Sequence, residues 1–331
     1  MFRCALVCLL VCNTGYASSL FDDDSVLDMT LEGPLSTLKK DTRRRNEHGF
    51  HLTTEGATID VAVRVRGISR VVVCNFPPLR LNFSSSDSAD TVFSGQKKLK
   101  LVTHCKNRGE YEQNVLEEYA AYRILNVLSD VSLRTRLVRI RYVNTEKRGA
   151  TELVRYAFFI ESEKAMAERN GGALLNIRRV TKNYLDQHQA GLAYIFQYLI
   201  GNTDWGLVRA IDKDKCCHNV VLADIEGRHY VVPYDFDRAG LVNARYAKPH
   251  PDLKIRRVTQ RWYRGYCMSS EPLREALETV VRHRQDITGV IDALPALPEK
   301  EIKSRSDYLQ KFFKLAADQD KLMNQFESRC L

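Results

Sequence analysis

From Ile59 onward the chain alternates apolar and polar positions with a period of two. Ile59, Val61 or Ala62, Val63 and Val65 alternate with polar residues up to a basic segment, Arg66-Gly67-Ile68-Ser69-Arg70, and a second short strand is expected over Val71–Val73. Pro77-Pro78 interrupts the pattern. Leu79, Leu81 and Phe83 then alternate with Arg80 and Asn82, a Ser/Asp-rich loop fills residues 84–90, and Lys98-Leu99-Lys100-Leu101-Val102 makes a further strand leading to Cys105. Together these runs predict a small antiparallel sheet.

Over Tyr111–Leu128 the period lengthens. Val115, Tyr119, Tyr122, Leu125 and Leu128 recur at steps of three and four, the signature of an amphipathic helix. Strands are expected at 137–143 and 154–160, followed by a polar Asn170-Gly171-Gly172 break. Leu192, Ile195, Phe196, Leu199 and Ile200 share one face of a second helix that stops at Gly201. The expected order is a sheet, a helix and more sheet, then a largely helical second half. Residues 18–57 are polar, acidic and then basic without sustained periodicity, and are expected to be a flexible lead-in.

The first seventeen residues read differently. Arg3, the apolar run Cys4–Cys12 and the small-residue exit Gly15-Tyr16-Ala17 match a cleavable secretory signal, too short to span a bilayer as a mature helix. A lipoprotein signal would modify Cys12, but Val11 before it is bulkier than that cleavage accepts. The expected location is therefore exported, periplasmic or secreted, with no membrane span in the mature protein. Removing the leader leaves Cys74, Cys105, Cys216, Cys217, Cys267 and Cys330, an even set that suits disulfides outside the cytoplasm. Cys74 and Cys105, at the ends of strands in one sheet, are the expected pair. Adjacent cysteines rarely bridge each other, so Cys216 and Cys217 are expected to find different partners. A zinc site at Cys216-Cys217-His218 lacks the usual ligand spacing.

The formal charge of +9 changes the picture little. Lys39-Lys40 and Arg43-Arg44-Arg45 fall in the polar lead-in, while Arg134, Arg136, Arg139 and Arg141 alternate with apolar residues as on a half-exposed strand. No nucleic-acid motif accompanies them, and no nucleic-acid partner is expected.

Candidate chemistry concentrates between Gly201 and Gly240. A polar loop, Gly201-Asn202-Thr203-Asp204-Trp205, precedes a hairpin that runs from His218-Asn219 through Ile225-Glu226-Gly227 to Pro233-Tyr234-Asp235-Phe236-Asp237. Such a hairpin can turn Asp204, Asn219, Asp235 and Asp237 toward one place. Phosphoryl transfer calls for that set: one carboxylate for the acceptor hydroxyl, and oxygen ligands for a hard cation on the nucleotide phosphates. The plainer alternative is a turn cap at Asp204 and arginine partners for Asp235 and Asp237.

The motif order resembles that of the spore-coat CotH-type kinases across roughly residues 59–242. Arg66-Gly67-Ile68-Ser69-Arg70 is similar to their RG-x-S segment, Pro78–Phe83 to the next strand, Phe158–Glu161 to a strand ending in Glu, and Pro233–Asp237 to their acidic metal-binding motif. The resemblance implies an α+β, two-lobed protein-kinase-like fold: a sheet-rich N-terminal lobe over 58–165 and a mainly helical C-terminal lobe over 166–331 that carries the hairpin. It also implies an ATP- and Mg- (or Mn-) dependent phosphotransferase acting on a protein or small-molecule hydroxyl. On it, Asp204 is catalytic, and Asn219, Asp235 and Asp237 hold metal. Arg66, Ser69 and Arg70 lie over the phosphates, Arg80, Lys98 or Lys100 meets their charge, and Glu117 or Glu118 orients that cation. The gap from Asp204 to Asn219 is longer than in typical kinase catalytic loops, and Arg66-Gly67 offers one glycine where phosphate loops have several. A catalytically inactive secreted binding protein on the same scaffold is the alternative, and a basic anion-binding surface protein a third reading.

Overall fold

The computed structural model describes residues 20–147, 149, 152–207 and 216–331. Residues 1–17, the expected leader, lie outside them.

Seven strands make the first body: β1 Leu27–Gly33, β2 His48–Thr54, β3 Ala57–Val65, β4 Leu79–Phe83, β5 Lys98–Val102, β6 Thr135–Asn144 and β7 Leu153–Ile160. They are ordered β1-β2-β3-β4-β5-β7-β6 and form a closed barrel. Closure comes from β1 lying parallel to β6, from Leu27 opposite Val138 to Gly33 opposite Asn144. Each strand alternates as its sequence requires. Leu31, Leu52, Val63, Leu81, Leu99, Ile140 and Phe159 fill the interior at 0% exposure, while Arg64, Arg80 and Lys100 face out.

This barrel corrects two expectations. The expected two-lobed protein-kinase-like fold with a sheet-rich N-terminal lobe is not found: those strands close into a barrel, although the content is mixed α+β. The reason lies in residues 27–54, expected as a loose lead-in. Leu27, Met29 and Leu31 alternate inward against Asp28, Thr30 and Glu32, and Phe50 and Leu52 do the same on β2. Two short helices complete this part, α1 Leu35–Lys40 and α2 Ser69–Val73. α2 replaces the strand expected at Val71–Val73. Its β-branched residues favour strands, but β3 already pairs with β2 and β4 and offers no free edge, so Val72 projects into solvent at 85% exposure.

The second core is built on α3 Gly109–Leu128, which packs against β7, and on α5 Gln187–Leu199. Between them in the chain lie α4 Glu163–Arg169 and β8 Ala173–Leu175, and β8 joins β9 Val220–Ile225 and β10 Arg228–Pro233 in an antiparallel sheet. The second half is therefore helix plus a three-stranded sheet. Helices α6 Ser270–Arg282, α7 Arg284–Asp292, α8 Glu299–Ala316 and α9 Gln319–Glu327 close it. Asp186 caps α5 by accepting from the Gln189 N–H at 2.9 Å. Gly201 ends that helix at φ +64, where a Cβ would meet the Tyr308 hydroxyl at 2.0 Å. Only glycine satisfies both demands.

Among the described residues, three cysteine pairs stand at bonding distance. Cys74 with Cys105 links the end of α2 to the segment after β5, as expected, and Cys267 with Cys330 ties the last residues to the segment before α6. Cys216 is paired with Cys217, contrary to the expectation of separate partners. Their peptide bond is cis, with Cα atoms 3.1 Å apart.

Candidate active site

Immediately after β3 the chain turns at Gly67, φ +92, and runs Arg66 to Arg70 over a cleft. The cleft is lined by that loop, Lys100 on the outer face of β5, Glu118 on α3, and Tyr234, Asp235 and Asp237 beyond β10. Arg70 is buried and joins the parts. Its Nε donates to Asp237 Oδ2 at 3.0 Å, and its Nη2 donates to Glu118 Oε2 at 2.5 Å. The Tyr246 hydroxyl donates to the same Asp237 oxygen at 2.9 Å, and its ring centroid lies 5.7 Å from the Arg70 guanidinium.

The Asp235-Phe236-Asp237 triplet is positioned by its centre. Phe236 is fully buried against Tyr122 and Phe196, with ring centroids 4.6 and 5.3 Å away, which leaves a carboxylate on each side of the anchor. Asp235 takes a left-handed backbone, φ +62, and its N–H donates to Tyr122 Oη at 2.9 Å. Desolvation pushes its carboxyl pKa up to about 6, and the neighbouring Asp237 charge adds to the rise against the pull of Arg70 and Arg66. Glu118 is likewise raised, first by burial, with Arg70 opposing.

The hairpin brings in Asn219 and Asp204. Val220 opposite Pro233 sets the register, and the Tyr234 N–H donates to the Asn219 carbonyl at 3.1 Å, so Asn219 stands beside Asp235. Asn219 Nδ2 in turn donates to the Asp204 backbone carbonyl at 2.7 Å and lies 3.3 Å from Asp204 Oδ2. Asp204 Oδ1 is 2.9 Å from His218 Nε2, and Oδ2 is 3.6 Å from Arg238 Nε. Burial acts to raise the Asp204 pKa, but the His218 hydrogen bond and the nearby positive groups outweigh it and hold the carboxyl below its ordinary value.

On the basic side, Arg66 Nε is buried with no hydrogen-bond partner among the described residues, and Arg66 forms no ion pair among them. Desolvation lowers its pKa while Asp235 raises it. Lys100 Nζ pairs with Glu163 and lies 5.7 Å from the Tyr234 ring centroid. A buried guanidinium edge without an acceptor fits an anion in this cleft.

The placements can be set against the sequence expectations. Arg66, Ser69, Arg70, Lys100, Glu118, Asp235 and Asp237 line one cleft, and Asn219 connects it to Asp204. Arg80 and Lys98 do not line it. Arg80 is paired across strands with Arg64 and interacts with Glu47, and Lys98 is exposed at the start of β5. Strand order explains the difference: Arg80 lies directly opposite Lys100 on the same outward face but one strand farther from β7, and only Lys100 reaches Tyr234. Glu117, also considered for the cation, turns away to Arg305 Nε at 2.6 Å. Glu161, at the end of the matched strand, pairs with Arg169, and Glu163 two residues on holds Lys100. His218, Arg238, Tyr246 and Glu163 went unrecognised as site residues. Only His218, next to Asn219, carried any sequence signal.

Among the described residues, no cluster of three His, Cys, Asp or Glu is arranged to hold a metal ion. Asn219, Asp235 and Asp237 supply oxygen from one amide and two carboxylates, enough for a cation that keeps waters and shares nucleotide phosphates. Among the described residues no helix is long and apolar enough to cross a membrane.

No family model matches the chain, and no curated protein matches it in sequence. Among solved structures it is similar to the Helicobacter pylori proinflammatory kinase CtkA, with 10% identity and a TM-score of 0.37, over 86% of this chain and 91% of that one. A likeness at this score decides nothing about this chain's chemistry.

Proposed function

We propose that the chain is an exported ATP- and metal-dependent phosphotransferase that acts on a hydroxyl of a protein or small molecule. The observation that carries this reading is the unsatisfied Arg66 Nε in a cleft that Asp235 and Asp237 also line. A phosphate chain would give that guanidinium an acceptor. A bound cation would offset the burial that chiefly raises the Asp235 carboxyl and the Asp237 charge that adds to it. The reading takes up the chemistry of the CotH-type resemblance, not its two-lobed fold.

The roles follow from position. Arg66, Arg70 and Lys100 bind and orient phosphate oxygens, with Glu118 holding Arg70 in place. Asn219, Asp235 and Asp237 would hold Mg or Mn, which when bound supplies charge neutralisation for the phosphates. Asp204, ionised at neutral pH, accepts the hydrogen bond of the incoming hydroxyl and fixes its direction, while His218 and Asn219 keep the carboxylate oriented. In the transfer the bond from the γ-phosphorus to the bridging oxygen of ADP breaks. A new bond to the hydroxyl oxygen forms, and the hydroxyl proton leaves through Asp204 to solvent.

One observation favours a second reading. Asp237 already receives Arg70 and Tyr246, so metal binding there competes with a formed ion pair. A binding protein without turnover would keep that pair. Calorimetry with Mg-ATP, combined with a phosphate-release or autophosphorylation assay on wild type and Asp235→Asn, separates the two. Nucleotide binding that needs Asp235 and is accompanied by turnover supports the enzyme. Binding without turnover supports the scaffold, and no binding ends both nucleotide readings.

A further inference from the structure

The segment between β10 and α6 carries no helix or strand, and neither the fold nor the nucleotide cleft accounts for its charge. From Arg245 to Arg264 it contains seven Lys and Arg residues and a single acid, Asp252. Two of these arginines are structural. Arg261 donates to the Leu199 and Tyr308 carbonyls, and Arg264 Nη1 donates to the Thr203 carbonyl at 2.6 Å. Lys248, Lys254, Arg256 and Arg257 are exposed and form no ion pair among the described residues.

One end of this loop is anchored beside Asp204, through the Arg264 bond to the carbonyl of Thr203, the residue before it. His250 interacts electrostatically with Asp204, His218 and Arg264, and Arg264 interacts with Asp204 and Asp252. Between His250 and Arg264, Val258 is buried, and its carbonyl lies 2.9 Å from where a Cβ on Gly240 would stand, so the loop is packed down rather than free. The Gln260 side chain accepts from the Arg256 and Arg257 N–H groups and holds the turn that presents both guanidinium groups to solvent. A packed, solvent-facing cationic ridge therefore leads to the carboxylate assigned to the acceptor hydroxyl.

We infer that this ridge docks an acidic stretch of polypeptide flanking the hydroxyl that Asp204 orients. The inference rests on the phosphotransferase reading for the role of Asp204, and on charge complementarity for the partner. The length of the ridge favours an extended chain over a small anion: its exposed cations run from Lys248 to Arg257 and would meet several successive carboxylates. Nucleic acid could answer the same charge, but the ridge converges on a carboxylate placed for a hydroxyl, and no aromatic platform alternates with its exposed cations.

The test measures fluorescence anisotropy with the full mature chain and labelled nonapeptides, each with one serine, flanked by glutamates, by glutamines or by lysines. The glutamate peptide should bind at least about tenfold more tightly than the glutamine peptide at about 50 mM salt, and should lose most of that advantage near 300 mM. Arg256→Glu with Arg257→Glu should weaken it by about tenfold or more while the Tm stays at the wild-type value. Equal binding of the three peptides, or tighter binding of a single-stranded oligothymidylate of equal charge, overturns the inference. Peptide capture is read without nucleotide, so the two ideas fail separately. Mg-ATP binding without selective capture removes the acidic partner and leaves the phosphotransferase. Selective capture without Mg-ATP binding removes the phosphotransferase and leaves the acidic partner.

Discussion

Lowering the pH should switch off metal-dependent nucleotide binding through Asp235, because its carboxyl titrates at about 6 rather than near 4. The ionised form is the ligand, so binding is gained as pH rises through that value and lost as it falls. With a pKa of about 6 the carboxyl is ~99% ionised at pH 8 and ~9% ionised at pH 5, which predicts about elevenfold weaker binding, or about 1.4 kcal/mol. Asp235→Asn removes this titration. Calorimetric titration of both proteins with Mg-ATP at pH 8 and pH 5 measures the effect, and protonation of the nucleotide itself acts equally on both. The wild-type advantage should be about tenfold or more at pH 8 and should shrink toward unity at pH 5. A wild-type to variant ratio that stays constant with pH refutes the assignment of Asp235 as the titrating ligand. The same shift has a consequence for stability. A carboxyl whose folded pKa is raised stabilises the fold below about pH 4, and that contribution, about 3 kcal/mol at most, is lost as pH rises through about 6. Denaturant melts should show the wild type losing stability over that range, and the variant losing less.

Asp204→Asn should leave Mg-ATP affinity within about twofold and lower turnover by about a hundredfold or more, since an acceptor-orienting carboxylate acts mainly in the transition state. Calorimetry and phosphate release on one preparation check this. Arg305→Met should destabilise the protein by about 3–5 kcal/mol at pH 8, because it strands Glu117, whose side chain is 1% exposed. The loss should be smaller at pH 6, where Glu117, raised by burial to about 7, takes up a proton. Urea midpoints at the two pH values test it. Replacing Cys267 and Cys330 by Ser should lower stability by up to about 4 kcal/mol, given the 63-residue separation they close, and a change in Tm below one degree would argue against a closed bridge.

Much of the local structure was legible. Val61, Val63 and Val65 declared β3, Tyr119 and Tyr122 declared α3, and Gly201 marked the end of α5, because each rests on periodicity or on a backbone demand within a few residues. Asp235 and Asp237 likewise announced a pair of carboxylates, while the role of Phe236 as the buried anchor between them emerged only from its packing on Tyr122 and Phe196. The α2 helix defied its β-branched composition, because strand formation needs a partner edge and the neighbouring strands had none to give. Residues 27–54 were passed over for the opposite reason. Their alternation is short within each strand and lies amid polar and basic residues, and it gains its meaning only when β1 meets β6, more than a hundred residues away.

The site divides along the same line. Residue types and their order were enough to nominate Asp204, Asn219, Asp235 and Asp237, since a hairpin of that length brings its two ends together by local geometry. Which cation reaches the cleft was decided only in three dimensions. Arg70, Arg80, Lys98 and Lys100 look alike in a one-dimensional charge pattern, yet barrel closure, strand order and the approach of α3 direct Arg70 to Glu118 and Asp237 and Lys100 to Glu163, and leave Arg80 beside Arg64 and Glu47. Alternation determines which face of a strand a side chain occupies. The partner across that face belongs to another segment, and the free energy that selects it comes from burial and charge pairing that exist only once the barrel has closed and the second core has packed against it.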